Sequence, residues 1–169
     1  MSKTVFVTVG TTEFNSLIQS ITQDSIYKIL KSKGYNKLLI QIGRCAFDPS
    51  TECSVRGFTI EYYRYKPSIA DDIANASLVI SHAGAGSCLE SLTANKPLLV
   101  VVNNELMDNH QLELARQLKK DGNIEYCDCS SLEETLKTCD FSKLKPYTPG
   151  KPQLFADFLD NLIGYTKQS

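Results

Sequence analysis

The segment "KPLLVVV", residues 96–102, constrains the fold more than any other stretch of this chain. Its unbroken apolar run leaves no polar face for a strand to turn toward water. Such a run belongs in a parallel strand with helices packed on both faces. "KTVFVTVG" near the start, "KLLIQIG" (37–43) and "SLVIS" (77–81) have the same character. "FTIEYYRY" (58–65) alternates in polarity and "IEYCD" (124–128) is short, and both read as further strands.

Helical periodicity fills the intervals. Residues 16–34 carry apolar side chains at 17, 18, 21, 26, 29 and 30, which predicts one helix closed by Gly34. Residues 44–56 read as loop. Pro67 and a capping box at Ser68-x-x-Asp71 open a short helix to 76. A helix over 87–95 follows the fourth strand, one over 109–121 ends at Gly122, and Ser131-x-x-Glu134 opens another. After the break "YTPGKP" (147–152) a last helix covers about 153–164. Strand and helix alternate throughout, which predicts an α/β fold, a Rossmann-like doubly wound parallel sheet. Its 169 residues are expected to form one domain, with no repeat and no second domain.

A formal charge of −1 gives no footprint for nucleic acid, and the basic residues stand singly, with no run suited to a membrane surface. The first apolar run stops at Gly10, and no later one approaches the ~20 residues of a membrane span, so a cytoplasmic protein is expected. Six cysteines in that setting are expected to be reduced thiols. Cys127-Asp128-Cys129 has the wrong spacing for a zinc knuckle, and neither metal nor cofactor is expected.

The chemistry concentrates in "SHAGAGSCLESL" (81–92), a strand–turn–helix. Gly84 and Gly86 remove side chains where backbone N–H groups at a helix N-terminus can approach an anion. The turn has the character of a phosphate cradle. It is not a Walker A loop, which needs Gly-Lys-Ser/Thr. It is not the dinucleotide fingerprint either, because Leu89 stands where a small residue is required and the turn follows the fourth strand. Ser87-x-x-Glu90 supports two interpretations. One is a capping box, in which serine and glutamate close the helix end. The other places Glu90, one turn into the helix, on a ribose diol. The polar stretch "NNELMDNHQLELA" (103–115) leaves the same edge after the fifth strand. It can contact sugar hydroxyls or simply cap its own helix.

"SHAGAGSCLESL" followed by "NKPLLVVVNNELMDNHQLELARQL" resembles the donor-binding half of the glycosyltransferases that include the bacterial peptidoglycan N-acetylglucosaminyltransferase. It resembles still more the small subunits of the eukaryotic two-chain UDP-N-acetylglucosamine transferase of dolichol-linked oligosaccharide synthesis. "VFVTVGTTEF" and "YTPGKPQLFADFLDNL" extend the likeness from about residue 4 to 165. The resemblance implies the donor-binding half of a GT-B glycosyltransferase. By it, Gly10, Thr11 and Thr12 form a loop near the diphosphate, with Arg44 as a further neutralising candidate. Tyr65 and Lys66 supply main chain to uracil. His82 positions the turn, Gly84, Gly86 and Ser87 face the phosphates, and Glu90 holds ribose. Asn109, His110 and Gln111 contact the sugar. The single-chain relatives carry a polar amide where Leu114 stands here.

The same resemblance implies transfer of N-acetylglucosamine from UDP-GlcNAc to GlcNAc-diphosphodolichol, with inversion and without a metal, in agreement with the lack of an Asp-x-Asp pair. It places the general base on a membrane-anchored acceptor-binding subunit, which recruits this chain to the cytosolic face of the endoplasmic reticulum. The docking element is a C-terminal helix at 151–165, whose Phe155, Phe158, Leu159 and Leu162 share one stripe. The competing class is a non-catalytic nucleotide-sugar-binding or regulatory module on the same fold.

Overall fold

A computed structural model describes residues 3–103 and 109–147, without the side chains of 85 and 109–114. The helix expected at the C-terminus, with Phe155, Phe158, Leu159 and Leu162, lies outside the described residues.

Six strands form one sheet: β1 (Thr4–Thr8), β2 (Lys37–Gln41), β3 (Thr59–Tyr63), β4 (Ala76–His82), β5 (Leu98–Val102) and β6 (Glu125–Asp128). Their order is β3-β2-β1-β4-β5-β6, with every neighbouring pair parallel. This is the doubly wound order, and its direction reverses between β1 and β4. The connecting helices are α1 (Asn15–Ile21), α2 (Asp24–Ser32), α3 (Ala70–Asn75), α4 (Ala85–Thr93), α5 (Asn109–Lys120) and α6 (Leu132–Thr138).

The strand pleat explains the two-sided core. Val5 and Val7 of β1, Ile40 of β2 and Ile80 of β4 pack on one face against α1, α2 and α6. Phe6, Val79 and Val100 point the other way, toward α3, α4 and α5. Every residue of β5 is buried, as its continuous apolar run requires. Truncating a fully buried member such as Ile80 to alanine costs about 2–5 kcal/mol.

Local signals were less faithful than strands. The helix expected over 16–34 is two helices. Thr22 folds its hydroxyl back onto the Ile18 carbonyl at 2.6 Å, and Gln23 adopts an extended conformation with ψ 143°. The Gln23 carbonyl then accepts from the N–H groups of Ile26 and Tyr27, restarting the helix. Side-chain back-bonding of this kind competes with the regular ladder. Gly34 does close α2: its N–H donates to the Lys31 carbonyl and that of Tyr35 to Leu30.

The capping box expected at Ser68 and Asp71 is absent. Ser68 Oγ accepts from the Ala70 N–H at 3.1 Å, and α3 begins at Ala70. Neither does Ser131 cap α6 through its side chain. It closes a capping box with Asp128 instead, around the 3-10 turn Cys129–Ser131. Asp128 competes successfully because its carboxylate accepts both the Ser131 N–H and hydroxyl, at 2.9 Å each.

Candidate functional site

All six strands run the same way, so the loops at their carboxyl ends leave a single edge of the sheet. That edge gathers Gly10–Thr12 after β1, Arg44 after β2, Tyr65–Lys66 after β3, His82–Ser87 at β4 and the start of α5 at Asn109.

At its centre two glycine turns meet across one imidazole. Gly10 has φ +62°, and a β-carbon there would stand 3.0 Å from His82 Nε2. A β-carbon on Gly84 would lie 2.3 Å from His82 Cε1, inside any real contact. The ring therefore occupies the space that both glycines vacate, at the switch point between β1 and β4. Burial lowers the His82 pKa to about 4, so the ring is neutral at physiological pH. Beneath it the buried Thr8 hydroxyl donates to Gln41 Oε1 and accepts from the Gly10 N–H at 3.0 Å. This bond holds the first glycine turn to the sheet.

The helix that follows opens without a cap. Gly84 is its N-cap, extended at φ −80° and ψ 126°, and no described side chain closes it. The first N–H to find a helical acceptor is that of Cys88, on the Gly84 carbonyl. The preceding amides, through Gly86 and Ser87, have no intrahelical acceptor, and the helix dipole adds partial positive charge at this end. Among the described residues, nothing lies within 4 Å of the missing β-carbon of Gly86. Glycine in a helix is less stable than alanine by ~0.5–1 kcal/mol, and no described atom requires it here.

The capping-box interpretation of Ser87 and Glu90 fails. Ser87 lies inside the first turn, and its carbonyl accepts from the Ser91 hydroxyl at 2.8 Å. Glu90 is exposed; its carbonyl accepts from Thr93 Oγ1 and the Ala94 N–H, but its carboxylate makes no hydrogen bond with the described residues. The helix starts two residues before Ser87, which puts the serine in the wrong place to cap it.

The other expected residues are distributed along the edge. Thr11, Thr12 and Arg44 are exposed, and the Arg44 N–H donates to the Thr12 carbonyl at 3.1 Å. Tyr65 is 52% exposed. Lys66 is engaged from the side: its Nζ is 3.1 Å from Asp72 Oδ2 and 4.3 Å above the Tyr63 ring. Tyr63 also donates to Asp72, and burial together with this carboxylate raises its pKa. Asn109, His110 and Gln111 open α5, with side chains outside the description.

Three contributors escaped the sequence pattern. Gly43, at φ +56°, packs against the β1 turn, Arg64 braces the loop beyond it, and Thr8 with Gln41 anchors Gly10. Gly43, Arg64 and Gln41 each meet partners 16 or more residues away, so no local spacing announces them. The edge also carries a cleft of about 210 Å³, lined by Phe14, Val102, Asn103 and Asp128–Ser130. It sits toward β6, two strands from the His82 turn.

Residues 4–162 match the family model described as the glycosyltransferase family 28 C-terminal domain. The chain belongs to this family. A human family 28 relative named UDP-N-acetylglucosamine transferase subunit ALG13 is 56% identical over 131 residues, covering 77% of this chain and 11% of the human protein. The mouse protein of that name also shares only 11% of its length, so this chain spans a small part of both. A Cryptococcus neoformans protein of the same name is 31% identical, with 96% of this chain and 97% of that protein aligned. Among solved structures, an NMR structure of ALG13 superposes with TM-score 0.71 at 28% identity, covering 91% of this chain and 95% of that one. Acinetobacter baumannii MurG shares the fold at TM-score 0.64 and 17% identity, over 95% of this chain and half of MurG. The family 28 assignment thus agrees with the resemblance carried by the glycine turn, and the doubly wound sheet is that of a GT-B glycosyltransferase domain.

Proposed function

We propose that this chain is the donor-binding, catalytic subunit of a two-chain transferase. It moves N-acetylglucosamine from UDP-GlcNAc to GlcNAc-diphosphodolichol with inversion at the anomeric carbon. The observation that carries the reading is the uncapped α4 N-terminus, set at the switch point beside two glycine turns packed on His82. The relatives named as UDP-N-acetylglucosamine transferase subunits support this donor and the presence of a second subunit.

In this reading the nucleoside lies toward β3, with uracil on the main chain of Tyr65–Lys66 and ribose on Glu90. The diphosphate lies over the amides of Gly84, Gly86 and Ser87, near Gly10–Thr12 and Arg44. The sugar extends toward Asn109, His110 and Gln111. When the acceptor hydroxyl attacks, the bond from the anomeric carbon to the diphosphate oxygen breaks and negative charge grows on the departing UDP. Free amides and a helix dipole already aimed at that charge stabilise it without reorganisation. His82, with its pKa near 4, is a weak base and positions the turn instead. The proton of the acceptor passes to a base on a membrane-anchored partner at the cytosolic face of the endoplasmic reticulum. The partner is held by Phe155, Phe158, Leu159 and Leu162.

The test is transfer of labelled GlcNAc to the lipid acceptor by purified chain, alone and with membranes that carry the partner. Turnover is expected only with the membranes. Turnover by the chain alone overturns the two-chain reading. UDP-GlcNAc binding with no transfer under any condition makes the chain a non-catalytic nucleotide-sugar module.

A further inference from the structure

Arg64 follows the end of β3 and directly precedes Tyr65–Lys66. Its guanidinium reaches sideways to the loop after β2. Nη1 donates to the carbonyls of Gly43 at 3.2 Å and Cys45 at 2.9 Å, and Nη2 to Asp48 Oδ1 at 2.8 Å. One planar fork thus fixes three points of the same loop from two nitrogens, a spread that the single nitrogen of a lysine lacks.

The clamped loop bears directly on the β1 turn. A β-carbon on Gly43 would stand 2.6 Å from the Thr12 carbonyl oxygen and 2.9 Å from that of Gly10. The next residue, Arg44, donates its N–H to Thr12. Gly10 in turn meets His82, and His82 meets Gly84. A continuous set of contacts therefore runs from Arg64 at β3 to the α4 turn at β4. Arg44 sits in the middle with an exposed guanidinium that makes no hydrogen bond or ion pair with the described residues.

We propose that Arg64 is a positioning residue for the donor: by clamping the loop after β2 it presents Arg44 to the diphosphate. This rests on the UDP-GlcNAc reading above. The Arg64–Asp48 pair is solvent-exposed on both sides and adds little stability as an ion pair. What the fork supplies is preorganisation: a loop already held in its bound form loses less entropy when ligand arrives.

Calorimetric titration of the full chain with UDP tests it, using R64M, R44M and the double variant. R64M is expected to bind UDP about tenfold more weakly, while its melting temperature stays within a few degrees of wild type. Because Arg64 acts through Arg44, the double variant should bind no more weakly than R44M alone. R64K, which keeps the charge but not the fork, should recover only part of the loss, and it carries the same cycle if R64M does not fold. Wild-type affinity in R64M overturns the proposal. So does a loss of unchanged size in the R44M background, because a purely structural role would be additive. Wild-type chain that fails to bind UDP removes the parent reading itself, a result distinct from either.

Discussion

The His82 ring stands where a side chain on Gly84 would have to go, with Cε1 only 2.3 Å from the ideal β-carbon position. Gly86, two residues on, faces open space. The two glycines of one turn therefore serve different ends, and substitution separates them. Gly84→Ala should lower stability by about 1–3 kcal/mol through overpacking. Gly86→Val should leave folding changed by no more than about 1 kcal/mol. Its branched side chain should nevertheless abolish donor binding by filling the approach to the amides. Thermal melts and donor titrations on both variants check this. Wild-type donor affinity in Gly86→Val would mean that nothing needs to approach the backbone there.

Glu90→Gln isolates the ribose contact. The Glu90 carboxylate caps nothing and pairs with no described residue, so folding should be indifferent to the change. A carboxylate accepting from two ribose hydroxyls is stronger than a neutral amide by about 1.5 kcal/mol or more, so UDP-GlcNAc binding should weaken about tenfold. Unaltered affinity at unaltered melting temperature would retire the ribose role.

Acid should destabilise the fold through His82. Burial holds its folded pKa at about 4, below the ~6.5 of an unfolded chain. Between those values the unfolded state binds more protons, so stability rises with pH across this window. The contribution is complete above about pH 6.5 and is lost as pH falls toward 4, a change of roughly 2–3 kcal/mol. Urea unfolding at pH 7 and pH 4.5 should show wild type losing about 2 kcal/mol more than His82→Gln. Equal losses in the two proteins would show that His82 titrates in the folded chain as it does in the unfolded one.

How far the sequence disclosed this arrangement depended on the range of the interaction. β5 was legible because five consecutive apolar residues admit only a strand buried on both faces. The glycine turn was legible because Gly84, Gly86 and the following helix are neighbours in sequence. Thr22 and Gln23 broke a helix whose periodicity survived the break, so apolar spacing alone could not reveal it. Ser87-x-x-Glu90 has capping-box spacing, but α4 starts earlier, and only coordinates fix where a helix begins. Gly43 and Arg64 stayed hidden because what they touch is distant in sequence: Gly43 meets Gly10 and Thr12 at the end of β1, and Arg64 reaches 16, 19 and 21 residues back, to Asp48, Cys45 and Gly43. His82 was expected to position the turn, but its contact with Gly10 joins the ends of two strands far apart in sequence.

Removal of everything after Gly150 should leave a folded domain, because the strands and the buried core of the described residues all precede that point. Donor affinity should persist. Association with the membrane partner should be lost together with Phe155, Phe158, Leu159 and Leu162. Co-precipitation of the truncated chain at wild-type level would exclude the C-terminal stripe as the docking element.

The most direct measurement is calorimetric titration of the full chain with UDP-GlcNAc, UDP-glucose and GDP-mannose, each with and without EDTA. Saturable binding of UDP-GlcNAc is expected, unchanged by the chelator, because amides and a helix terminus receive the diphosphate. UDP-glucose should bind more weakly and GDP-mannose not at all. Equal binding of all three, or none of UDP-GlcNAc, would contradict a UDP-GlcNAc donor site at the His82–Gly84 turn.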